Sequence, residues 1–193
     1  MDTGHLTILA DHYRDTFDLI SKWHRTRELM FFATLALGVA MLLNSLGGGF
    51  IATSLIAYAH KQFDITFSQD VRVLGSLLWF LWFGATLKYY QAQLRLENLY
   101  DYISIVEGRI QATAGAQLID REGGHYRKGY PGFSTFSHYI YTGLIPVVLA
   151  IIPVTLVIGE WRHTGFTAFV VLDTIFCLLM IVTAILYLRH IHR

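Results

Sequence analysis

Residues 29–59 read LMFFATLALGVAMLLNSLGGGFIATSLIAYA, and no charged side chain occurs between Glu28 and Lys61. A hydrocarbon core of about 30 Å takes roughly 20 apolar residues in a helix. Leu29 to Leu46 is already long enough to cross. As one helix, 29–59 would run about 46 Å, too long for a bilayer unless it tilts or projects. Gly47, Gly48 and Gly49 weaken the helix and permit a break. Two outcomes follow: a break at the outer surface leading into an interfacial helix, or a re-entrant segment. The second requires irregular backbone that lines a cavity.

The rest of the chain fits the same solvent. Of its 193 residues, 54% are hydrophobic and 15% charged, with a mean hydropathy of +0.44. Soluble domains carry about 25% charged residues. Three further stretches qualify as spans: Val73–Leu87 between Arg72 and Lys88, the run from Lys128 to Glu160, and the run from Arg162 to Arg189, which holds Asp173. Trp79 and Trp82 enrich the second stretch, and Tyr89 and Tyr90 are interfacial anchors at its end. The sequence therefore predicts an all-α integral membrane protein with four transmembrane helices. Residues 1–28 hold no short apolar region followed by a small-residue cleavage site, so the first apolar segment is expected to remain as an anchor.

Lysine and arginine placement sets the orientation. Arg14, Lys22, Arg25 and Arg27 precede the first span; Lys88, Arg95, Arg109, Arg121, Arg127 and Lys128 separate the second and third; Arg189 and Arg193 end the chain. Those twelve are inside if both termini are cytoplasmic, leaving Lys61, Arg72 and Arg162 outside. Both termini are thus expected in the cytoplasm of a bacterial cell, with the protein in the inner membrane. The expected organisation is a cytoplasmic amphipathic helix at 1–28, spans 1 and 2 with the glycine break at 29–90, a cytoplasmic helix and basic return loop at 88–128, and spans 3 and 4 with a short tail at 129–193.

Within 6–28, Leu9, Tyr13, Phe17, Ile20 and Trp23 recur at helical spacing. Span 2 meets no Pro or Gly breaker at its end and is expected to continue to about Ala114 as a coiled-coil-like helix. Ala92, Leu96, Leu99, Ile103, Val106 and Ile110 alternate in steps of four and three, a heptad seam. The seam is covered either by residues 6–28 of the same chain or by other copies, and Leu96, Leu99, Ile103, Val106 and Ile110 are its oligomer candidates. Beyond Gly115, the cationic cluster Arg121, His125, Arg127 and Lys128, with Gly123-Gly124 as a possible anion nest, suits lipid headgroups or a nucleotide or oligonucleotide signal.

Chemistry is sparse. There is no phosphate-binding Gly-Lys-Ser/Thr loop, no His-Glu-x-x-His and no Gly-x-Ser-x-Gly. Nine histidines scatter without metal-ligand spacing, and the lone cysteine, Cys177, builds no disulfide framework. Neither metal, cofactor nor catalytic residue is expected, and the chain does not read as an enzyme. Asp173 is the one acid read inside a span. It serves a pore or gate, binds a proton, or makes a structural hydrogen bond to Thr142 or Thr155. Asn44, Ser76 and Thr174 are weaker polar candidates, and Pro146 and Pro153, two helical turns apart, are candidate kinks for gating.

Several pieces together resemble a known group: Trp23-His24-Arg25-Thr26-Arg27, Trp79 through Tyr90-Gln91, Leu96-Glu97, Tyr102-Ile103, Glu107, Arg121-Glu122-Gly123, Tyr126, Tyr130-Pro131 and His138-Tyr139-Ile140-Tyr141. They are similar in plan to small four-span bacterial membrane effectors of anti-phage operons, CRISPR-accessory or nucleotidyltransferase-linked. The resemblance implies a homo-oligomeric channel or pore, gated from the cytoplasm by a ligand or defence protein, that depolarises or permeabilises the inner membrane. It assigns no residue a role. The alternative is a non-conducting sensor or scaffold that recruits a cytoplasmic partner. Its expected contacts are membrane lipids and further copies of itself; no direct binding of duplex nucleic acid is expected.

Overall fold

A computed structural model describes residues 3–46, 48–63, 71–114, 136 and 139–191. Among them are five α-helices: α1 (Thr3–Leu46), α2 (Phe50–Phe63), α3 (Val71–Ala114), α4 (Ile145–Thr164) and α5 (Ala168–Ile191). A π-helical turn, Ile140–Leu144, leads directly into α4. Pro146 lies just after that turn, at the start of α4, where its missing N–H costs nothing.

Between α1 and α2, Gly48 and Gly49 have φ of 60° and 89°, a left-handed backbone that glycine adopts without steric cost. The Gly49 N–H donates to the Asn44 carbonyl at 2.8 Å and closes the end of α1. The regular helix α2 then has 14 residues, about 21 Å.

Among the described residues, three helical stretches are long and apolar enough to cross a bilayer: α1, the run Ile140–Thr164, and α5. The expected count of four is therefore corrected to three. The amino-terminal part of α3 is the one that falls short. Its charge-free run, Val73–Leu87, is bounded by Arg72 and Lys88 and spans only about 22 Å. Its tyrosines also do not act as interfacial anchors: Tyr89 and Tyr90 are almost fully buried, and Trp79 and Trp82 are completely so. The same-side placement of the termini requires an even number of crossings, and it goes with the fourth span. The chain remains a multi-pass, all-helical protein of the inner-membrane type.

The chain divides into two compact units. The paired-helix unit, residues 1–29 and 89–141, is built from the first half of α1 and the second half of α3. Leu9 packs with Val106 and Ile110, while Ile20 packs with Leu96 and Ile103. Rising numbers on α1 meet falling numbers on α3, so the two segments are antiparallel. Tyr13, Phe17, Trp23, Leu99 and Tyr100 close the flanks. Polar ties follow the same order. Tyr13 Oη donates to Glu107 Oε1 at 3.3 Å, His24 Nε2 and Tyr100 Oη share a 2.7 Å hydrogen bond, and the Arg95 guanidinium lies 5.8 Å from the Trp23 ring centre. Burial, aided by the Arg27 charge, holds His24 below the ordinary 6.5. Burial likewise pushes Tyr89 up to about 12.

The apolar unit comprises 30–88 and 142–193. Helices α4 and α5 form a hairpin across Gly165, whose φ of 70° lets its N–H reach the Trp161 carbonyl at 3.3 Å. Thr167 Oγ1 accepts the Val170 N–H at 3.3 Å, satisfying one donor that the first turn of α5 leaves open. Phe80 and Phe83 of α3 meet Phe176 of α5. Gly38 of α1 sits against Trp82, whose Cζ2 would lie 3.2 Å from an added Cβ. A hydrogen at position 38 is what allows the indole this approach.

Candidate functional site

The inward face of α5 carries Val170, Asp173, Cys177, Met180, Ala184 and Tyr187, all buried, in alternating steps of three and four. Asp173 therefore points to the protein interior because its register puts it there. On α4, Pro146, Leu149, Pro153, Leu156 and Val157 are buried, and Glu160 continues that face seven residues after Pro153. Ser76, Trp79, Trp82 and Thr86 form the corresponding face of α3.

These three faces bring together a polar cluster. Trp79 Nε1 donates to Glu160 Oε1 at 3.0 Å. Ser76 neighbours Asp173, and the two residues are only 6% and 5% exposed. Their contact does not close as a hydrogen bond: Ser76 Oγ and Asp173 Oδ1 are buried with no partner, as is Glu160 Oε2. Glu160 feels the charge of Asp173 and lies near Cys177, a buried free thiol. Among the described residues no group of three His, Cys, Asp or Glu side chains could hold a metal ion.

Buried polar groups in native proteins are nearly always paired, because leaving one unpaired costs about 1–3 kcal/mol, and more if it is charged. Three unpartnered oxygens contributed by three helices are therefore unusual. They form a pre-arranged set of two carboxyl oxygens and one hydroxyl whose hydrogen-bonding capacity is unmet.

The other candidates lie elsewhere or have structural partners. Thr174 Oγ1 donates to the Val170 carbonyl at 2.6 Å and accepts from Trp161 Nε1 at 3.0 Å. Thr155 is exposed and donates to the Ile152 carbonyl at 2.8 Å, which leaves Ser76 as the hydroxyl beside Asp173. Thr142 is buried in the π-helical turn. Asn44 is half-buried near the end of α1. Pro146 and Pro153 are both fully buried. Leu96, Leu99, Ile103, Val106 and Ile110 are covered by α1 of the same chain. Arg121, His125, Arg127 and Lys128 lie outside the described residues.

Glu160 is the participant that sequence reasoning missed. It sits beside Trp161, Arg162 and His163, a composition that reads as the end of a span. Its seven-residue spacing from Pro153, itself seven from Pro146, was the available signal. In the sequence Trp79 only enriches an apolar run, yet its N–H is directed at a carboxylate.

No protein-family model matches the chain, and neither a curated protein nor a solved structure matches it.

Proposed function

We propose that this multi-pass membrane protein conducts ions, as a homo-oligomeric channel or pore-forming effector gated from the cytoplasmic side. The supporting observation is the set of unpartnered oxygens on Ser76, Glu160 and Asp173 inside the apolar unit. Acids held within membrane segments are costly, and they characteristically mark ion pathways. One copy supplies three crossing helices, too few to enclose an aqueous path, so conduction takes several copies. The 96–110 seam is covered by α1, so subunits would meet through outward faces of the apolar unit. The resemblance to small effectors of anti-phage operons supplies the setting: depolarisation of the inner membrane once a nucleotide signal or defence protein acts on the cytoplasmic segments.

A flux assay on proteoliposomes tests the reading. The wild-type protein is expected to dissipate a potassium-valinomycin potential when activated, and Asp173→Asn to reduce that flux at least tenfold. Oligomers that carry no current under any trigger would sink it. The non-conducting sensor is the second reading, favoured by exposed Ile8, Leu19, Tyr102 and Ile105 on the paired-helix unit. Recovery of a stoichiometric soluble partner from native membranes, without flux, would favour it.

A further inference from the structure

We propose that Ser76, Glu160 and Asp173 form a binding site for one small monovalent cation of the sodium class. This deepens the conduction reading and rests on it for its physiological role, although binding is measurable without flux. All three available atoms are oxygens, and two belong to carboxylates, a donor set that suits a hard cation rather than a soft one. Asp173 and Ser76 are each more than nine-tenths buried, and Ser76 Oγ adjoins Asp173 without completing a hydrogen bond to it. Both atoms therefore have free lone pairs at one place.

Charge sets the valence. Trp79 already donates to Glu160, and a hydrogen bond to a carboxylate disperses part of its charge. Asp173 has no such donor on Oδ1. With one of the two carboxyls protonated, a single positive charge balances the cluster, and an uncompensated ion in an apolar interior is costly. Coordination points the same way. Calcium takes six to eight oxygens and magnesium sheds its water reluctantly, whereas the cluster offers three free oxygens. The ligands come one each from α3, α4 and α5, so an ion here ties three helices together.

The test uses the full chain purified in detergent, with thermal unfolding followed by near-ultraviolet circular dichroism. NaCl, KCl and choline chloride are compared at one ionic strength and fixed pH. The expected result is a midpoint that rises and saturates with Na+, rises less with K+, and stays flat with choline, since a ligand of the native state stabilises it. Ser76→Ala removes one neutral ligand and should raise the half-saturating Na+ about tenfold. Asp173→Asn should abolish the response. Should Asp173→Asn fail to fold by far-ultraviolet circular dichroism, Ser76→Ala and Glu160→Gln carry the test. Equal stabilisation by Na+ and choline overturns the proposal, as does a sodium response that survives in all three variants. A midpoint that follows pH and ignores Na+ also overturns it and marks the acids as a proton site. Saturable Na+ binding without flux would leave the site standing and remove conduction. Flux without a Na+-dependent midpoint would do the reverse.

Discussion

The paired-helix unit and the apolar unit both bury acidic side chains, and they treat them differently. Glu107 in the first accepts a hydrogen bond from Tyr13 across the helix pair. Asp173 in the second has an oxygen with no donor at all, and Glu160 is paired on only one of its two. The first arrangement fixes register between two helices. The second leaves acceptors ready for something that is not part of the chain. Burial alone therefore does not mark a site; burial combined with unmet hydrogen-bonding capacity does.

The largest effect that would sharpen this contrast comes from the paired-helix core. Ile103 is completely buried, and Ile103→Ala should cost about 2–5 kcal/mol through lost transfer energy and a residual cavity. Hydrogen exchange should speed up in 5–28 and 92–112 while 145–190 stays protected. Equal loosening of both regions would break the distinction between the units. Trp79→Phe comes next. It keeps most of the ring but removes the indole donor to Glu160, at about 1–3 kcal/mol, read as a lower unfolding midpoint confined to the apolar unit. Tyr13→Phe removes the corresponding tie to Glu107 and should cost less, about 0.5–1.5 kcal/mol. If it proved the costlier of the two hydroxyl or indole deletions, the acids of the two units would not differ as argued.

The smallest effect is one of pH. His24 is held below 6.5 when folded, so the unfolded chain takes up the proton first as pH falls. The stability that neutral His24 contributes is complete above about 6.5 and is lost as pH drops through its lower folded value. Unfolding of the paired-helix unit at pH 7.5 and 5.5 should show this sag, and His24→Gln should remove it.

The periodicities of 9–23 and 96–110 were legible, and the two segments do pack by those faces. What the pattern could not reveal was the partner. A heptad seam looks the same whether another copy covers it or the chain's own α1 does. Antiparallel pairing was settled only by which residues touch. The apolar runs of α1, α4 and α5 were also plain, because hydropathy over about 20 residues is a strong signal. The run in α3 misled because aromatic residues raise apparent apolarity whether they face lipid or protein. Asp173 and Ser76 were each picked out singly, but their proximity depends on how α3 and α5 pack. Glu160 was hidden by its polar neighbours at the hairpin.

The boundaries between the two units fall at 29/30, 88/89 and 141/142, and all three lie within helical segments rather than loops. Neither unit can be cut out without severing a helix, so limited proteolysis should release neither one whole.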